Sequence, residues 1–246
     1  MIYNLHKATE TNIGDMKSPV SLYFDFGQET AIYDLCRVKS GDYNLQDAEA
    51  VIVGGGGLFY FQSLEYLCEN YSGKLIGWGI GCNEHGVKKL RYPSFAERFD
   101  LLGVRDWGSP FKWVPCSTCM DPIFDMEHEV VHETVIYEHK NSPIKLDFPR
   151  KDNTSDFATA INHIASSEIV LTNTYHGMYW ATLLARKVVV FPFSSRFYGM
   201  KYPVYLCEES DFVSGMPRDL KSFPEALPEC RQANLQFYQE VKNVLQ

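Results

Sequence analysis

The sequence predicts an α/β protein with two small parallel-sheet domains facing each other across a cleft. Three observations lead there. Ala50–Val53 is a compact apolar run closed at once by Gly54-Gly55-Gly56-Gly57. Lys74–Trp78 repeats the pattern and ends in Gly79-Ile80-Gly81. Ser167–Lys201 then reads as strand, polar turn, helix, strand and polar loop, with His176 at the turn. Apolar runs alternating with helical spacing imply parallel strands joined by crossover helices. Ligands of such sheets bind beyond the carboxyl ends of the strands.

The elements follow in chain order. Ala31–Val38 is expected as a strand, then Ala50–Val53. Leu58–Tyr71 is expected as a helix, with Leu58, Phe61, Leu64, Tyr66 and Leu67 on its apolar side. Lys74–Trp78 is the next strand, Ser94–Phe99 a helix, and Leu101–Val104 a strand ending at Arg105-Asp106. Prolines 115, 122, 143 and 149 punctuate a less regular middle, and a boundary near Pro122–Glu129 divides the chain into domains of residues 1–125 and 126–246. Val130–Glu138 is a strand. Ser155–Ser167 carries Phe157, Ile161 and Ile164 at helical spacing, with Thr154 or Ser155 as N-cap. Ile169–Leu171 is a strand, Thr172–Gly177 the turn, Met178–Arg186 a helix and Val188–Phe191 a strand. Pro224–Gln246 closes the second domain as a helix, with Leu227, Cys230, Asn234, Phe237 and Val241 on one side.

Composition narrows the function. The chain has 246 residues, 45% of them hydrophobic, so a sizeable core can form. A net charge of −8 without any Lys/Arg tract argues against nucleic acid as a partner. No run approaches the ~20 apolar residues that span a bilayer, and MIYNLHKATETN lacks the apolar core of a signal peptide. A cytoplasmic protein is expected, a location compatible with peripheral association at a membrane. Seven scattered cysteines read as reduced thiols. Cys116 and Cys119 form a CxxC, but no second pair at ligand spacing accompanies it, so no metal site is expected.

Several residues sit where chemistry is expected. Asn12-Ile13-Gly14-Asp15 can present amides and a carboxylate to a ligand, or is a simple capped turn. Four consecutive glycines can cradle an anion on backbone amides, or allow a tight strand-to-helix crossing. They do not make a Walker motif, since no Gly-Lys-Ser/Thr follows. Arg105 can grip a carboxylate or phosphate, or tie its loop to Asp106. His176 follows a buried strand among Asn173, Thr174, Tyr175 and Gly177, and an imidazole there suits proton transfer. The other histidines, His85 and His139 among them, lack such a setting. Ser194, Ser195 and Arg196, with Lys201 close behind, form a second grip for an anion, or a solvated loop.

In this order, these pieces resemble the polysaccharide pyruvyl transferase family. The matching positions are Asn12–Asp15, Gly54–Leu58, Gly77–Gly81, Gly103–Asp106, Asp121-Pro122, Ile169–Thr172, His176-Gly177 and Pro192–Arg196 with Lys201. The resemblance implies a GT-B-like fold of two Rossmann-type domains. It also implies transfer of pyruvate from phosphoenolpyruvate, the donor substrate, onto two hydroxyls of a sugar in a surface polysaccharide or its precursor, giving a cyclic ketal. No further cofactor is implied. His176, as acid or base, and Asp15 would be catalytic. Asn12, Gly55, Gly56, Gly57, Arg105, Asn173, Thr174, Gly177, Ser194, Arg196 and Lys201 would bind substrate. Family members often carry an arginine where this chain has Thr174, so the donor grip would fall to Arg196 or Arg150. Two readings stand beside this one: a GT-B-like glycosyltransferase using a nucleotide sugar, and a non-catalytic glycan-binding relative.

Overall fold

A computed structural model describes residues 1–8, 11–215 and 219–246. It is α/β with two sheets in which every strand pair is parallel. The first sheet is built from β1 (Ile2–His6), β2 (Thr30–Asp34), β3 (Ala50–Gly56), β4 (Lys74–Ile80), β5 (Leu101–Val104) and β6 (Lys112–Trp113), in the order β2-β1-β3-β4-β5-β6. The second holds β7 (His132–Glu138), β8 (Arg150–Asp152), β9 (Ser167–Thr172), β10 (Lys187–Val190) and β11 (Tyr205–Leu206), in the order β11-β10-β9-β7-β8. These are two Rossmann-like sheets. The helices are α1 (Ile13–Met16), α2 (Gln62–Asn70), α3 (Phe157–Ala165), α4 (Tyr175–Leu183), α5 (Glu209–Ser214) and α6 (Ala226–Leu245). No helix among the described residues is long and apolar enough to cross a membrane.

The differences from the expected elements have local causes. β1 was not anticipated, because Asn4 interrupts its apolar run. Asn4 is nevertheless hydrogen-bonded at both ends of its amide: the nitrogen donates to the Ile52 carbonyl, and the oxygen accepts from the Ser21 amide and hydroxyl. β2 stops at Asp34, short of Val38, because the Asp34 carboxylate caps a 3-10 turn through the Cys36 amide. The expected helix 58–71 begins only at Gln62, which leaves Gly57–Phe61 as a turn. Residues 94–98 form a 3-10 turn, and Asp156, not Thr154 or Ser155, caps α3 by accepting from the Thr159 amide.

The glycine run is the larger correction. Gly54, Gly55 and Gly56 belong to β3, with Gly54 opposite Trp78 and Gly56 opposite Ile80. A Cβ on Gly55 would fall 2.1 Å from the Ser18 Cβ, so the strand needs glycine there to pack against Ser18.

The helix α6 bridges both halves, although the sequence assigns it to residues 126–246. Ala226 and Cys230 pack into the core around α3 and α4, while Phe237 and Val241 pack with Trp78 and Val114 of the first half. Asn234, polar on an apolar face, is buried at the crossing. Its oxygen accepts from the Trp78 indole at 2.7 Å and its amide donates to the Pro115 carbonyl.

Candidate functional site

A cavity of about 380 Å³ opens between the two sheets. Every residue that lines it follows the carboxyl end of a parallel strand. The first half supplies Lys7, Asn12 and Asp15 after β1, Gly57, Leu58 and Phe61 after β3, Asn83 and His85 after β4, and Arg105 after β5. The second half supplies His139, Asn141 and Ser142 after β7, Asn153 after β8, Thr174, Tyr175 and His176 after β9, and Phe193 and Arg196 after β10. This is where open α/β sheets bind their ligands. The rims are tied across the halves by backbone: Ile13 donates to Asn153, Gly86 to Phe193, and Ser195 to Glu84, each at 2.9 Å.

One wall is cationic. Arg105 is only 4% exposed, and its guanidinium lies 3.6 Å from the centre of the Tyr175 ring. Arg196 lies over Phe193 at 4.7 Å and Phe197 at 4.9 Å. The Nε of each arginine is buried and has no hydrogen-bond partner among the described residues. Burial, then the charge of Arg105, pull the Arg196 pKa down to about 10, against a smaller upward pull from Asp15. Two guanidinium groups buried beside one cavity are the electrostatic complement of an anion with more than one charge. The lining is also rich in amides and hydroxyls: Asn12, Asn141, Asn153 and Ser142.

His176 lies in the first turn of α4, not in the turn before it, because Thr174 caps the helix by accepting from the Gly177 amide. The ring is 6% exposed and borders the cavity. Its pKa is lowered to about 3, first by burial and then by Arg105 and Arg196. At pH 7 these effects favour the neutral imidazole. The ring rests on Gly14: a Cβ there would stand 1.9 Å from the His176 Nδ1. Gly14→Ala is thus expected to push the imidazole out of place. Overpacking of this kind costs about 1–3 kcal/mol, and a 1 Å misplacement costs activity on the order of a hundredfold. Thermal melting and steady-state rates measure the two effects.

No protein-family model matches the chain, and no curated protein is similar to it at a significant level.

Of the residues singled out from sequence, Asn12, Asp15, Gly57, Arg105, Thr174, His176 and Arg196 come together at the cavity. Asn12 caps α1 and donates to Asp15 Oδ2 at 3.1 Å, which orients that carboxylate. The others lie elsewhere. Gly55 and Gly56 sit within β3. Gly177 is packed under Thr172 and Thr174. Asn173 lines an adjoining groove and holds the loop after β7, accepting from the His139 amide and donating to the Ser142 carbonyl. Ser194 is buried behind the lining and pairs by backbone bridge with His85. Lys201 turns away to Glu229 at 2.7 Å and lies over Trp113 and Trp107. Arg150 is held by Glu138 and the Ile144 carbonyl, outside the lining. Asp106 ties loops together, accepting from the Cys82 amide at 2.7 Å. Conversely, His85 and His139, set aside on sequence grounds, do border the cavity. The signal that finds them is position: His139 directly follows the end of β7, and His85 lies in the loop that leaves the end of β4.

Proposed function

We propose that the protein transfers pyruvate from phosphoenolpyruvate onto two hydroxyls of a sugar, with the two halves in a GT-B-like arrangement. The observation that carries this reading is the pair of buried arginines that line the cavity at the mouth of strands from opposite sheets, each with an Nε that makes no hydrogen bond among the described residues. Phosphoenolpyruvate carries a phosphate and a carboxylate, and Arg105 and Arg196 supply one fork for each. The first turn of α4 adds its dipole on the same side. The amides of Asn12, Asn141 and Asn153 in the lining suit the hydroxyl groups of a sugar.

The chemistry has two stages. A sugar hydroxyl adds across the enol double bond: its oxygen bonds to the central carbon and a proton ends on the methylene carbon. The phosphate then leaves with the electron pair of its C–O bond. The second hydroxyl bonds to the same carbon, and its proton passes to a base. We assign Asp15 to take the hydroxyl proton in these steps and His176 to donate a hydrogen bond to the departing phosphate. A dianion between Arg105 and Arg196 also offsets the two charges that, after burial, hold the His176 pKa down. Donor binding therefore shifts that pKa upward.

The test is incubation of the protein with phosphoenolpyruvate and a panel of galactosyl, mannosyl and glucosaminyl acceptors, lipid-linked and nucleotide-linked. The expected result is liberated phosphate together with an acceptor that has gained a pyruvyl ketal. Saturable binding of UDP- or GDP-sugars without binding of phosphoenolpyruvate overturns the proposal.

A further inference from the structure

A chain of hydrogen bonds runs through the core to His176. The Trp180 indole Nε1 donates to the Thr118 hydroxyl oxygen at 3.1 Å. The Thr118 hydroxyl donates to the Cys116 Sγ at 3.5 Å. The Cys116 Sγ lies 3.7 Å from the His176 Nε2. All four side chains are buried. The Cys116 backbone is itself pinned, its carbonyl accepting from the Tyr179 hydroxyl at 2.9 Å. The CxxC spacing therefore has a use unrelated to metal: it encloses the Thr118 turn, while Cys119 faces away and accepts from the Asn234 amide.

The direction of the chain follows from its first member. An indole N–H can only donate. The Thr118 oxygen accepts it, and the single hydroxyl proton of Thr118 passes on to the sulfur. The sulfur is then an acceptor on that side, and its own S–H is left for the neighbour on the other side. That neighbour is Nε2. A neutral imidazole whose Nε2 accepts carries its proton on Nδ1. Each bond polarises the next, so the whole chain favours one direction.

We propose that Trp180, Thr118 and Cys116 are positioning residues that lock His176 in its Nδ1–H tautomer, so that the ring offers a proton donor, and not a lone pair, on the side of Gly14. Gly14 lies in α1 beside Asp15 and the cap Asn12, both of which line the cavity. The consequence for catalysis rests on the transfer reading above. Asp15 takes the hydroxyl proton, and His176 holds the departing phosphate through its Nδ1–H.

The tautomer can be read without substrate. In the full chain labelled with ¹⁵N-histidine at pH 7, long-range ¹H–¹⁵N correlation distinguishes a protonated from an unprotonated ring nitrogen. The His176 signals are assigned by their loss in His176→Gln. We expect a protonated Nδ1 and an unprotonated Nε2 in the wild type. A protonated Nε2 overturns the proposal. Cys116→Ala removes the thiol donor and is expected to give a mixture of both tautomers, whereas Cys119→Ala is expected to leave His176 unchanged. Unchanged His176 nitrogens in Cys116→Ala also overturn it. Should that variant fail to fold, the wild-type spectrum alone decides. Failure of phosphoenolpyruvate to bind would sink the transfer reading and leave the tautomer result standing.

Discussion

His176→Ala is expected to lower kcat for phosphate release from phosphoenolpyruvate by about 10²–10³-fold, with a much smaller change in KM. That range is the usual cost of losing one preorganised donor aimed at charge that develops in the transition state. The ring touches little that binds substrate uniformly: it is nearly buried between Trp180, at 5.1 Å between ring centres, and Tyr175, at 5.5 Å. Its ionisation makes a second, independent expectation. In the free protein the group titrates at about 3, below its ordinary value, because burial and then Arg105 and Arg196 disfavour the cation. The pH dependence of kcat/KM reports the free enzyme. Between pH 5 and pH 8 it should therefore contain no inflection that disappears in a His176 variant. A wild-type rate in His176→Ala, measured by phosphate release across that range, rules out the role assigned to the ring.

Much of this arrangement is legible from residue order, because parallel strands advertise themselves. The apolar cores of β3, β4, β5, β7, β9 and β10 are visible as short apolar runs, and those of β3, β5, β9 and β10 are followed by a candidate ligand position. What escapes is informative. β8 reads Arg150-Lys151-Asp152, with no apolar residue to reveal it, so Asn153 beyond its end goes unnoticed. β1 hides behind Asn4, a polar residue whose partners on β3 and at Ser21 are remote in the chain. A buried polar group is cheap when fully hydrogen-bonded, and nothing in its immediate sequence announces those bonds.

The misplaced residues share another cause. A cation just after a strand end looks like an anion grip whichever way the chain then turns. Arg196 turns inward because Phe193 and Phe197 embrace its guanidinium. Lys201, a few residues on, turns outward to Glu229 and to Trp107 and Trp113, contributed by the other sheet and by α6. Likewise, four glycines signal close approach, but not of what. Three of them serve the β3 ladder and its contact with Ser18, and only Gly57 borders the cavity.

The paired arginines carry the donor, so their removal should be felt in binding first. Arg196→Gln is expected to weaken phosphoenolpyruvate binding about ten- to a hundredfold, the equivalent of the roughly 1.5–3 kcal/mol typical of a hydrogen bond to a charged group. The fold should tolerate it, since the two phenyl rings can close over a glutamine. Arg105→Gln should cost similar affinity and also stability. Its charge lies 3.9 Å from Asp106, a carboxylate that is 1% exposed and whose pKa is already raised by burial. Removing the cation leaves that carboxylate less compensated, and its pKa rises further. The two variants thus separate the ligand from the scaffold: calorimetric titration with phosphoenolpyruvate should report a loss in both, and thermal melting a drop mainly in Arg105→Gln. The double variant should, in addition, raise the His176 pKa, because after burial these two charges are what hold it down. Binding of phosphoenolpyruvate to the double variant at wild-type strength would show that the anion is held elsewhere, and the assignment of this cavity as the donor site would fall with it.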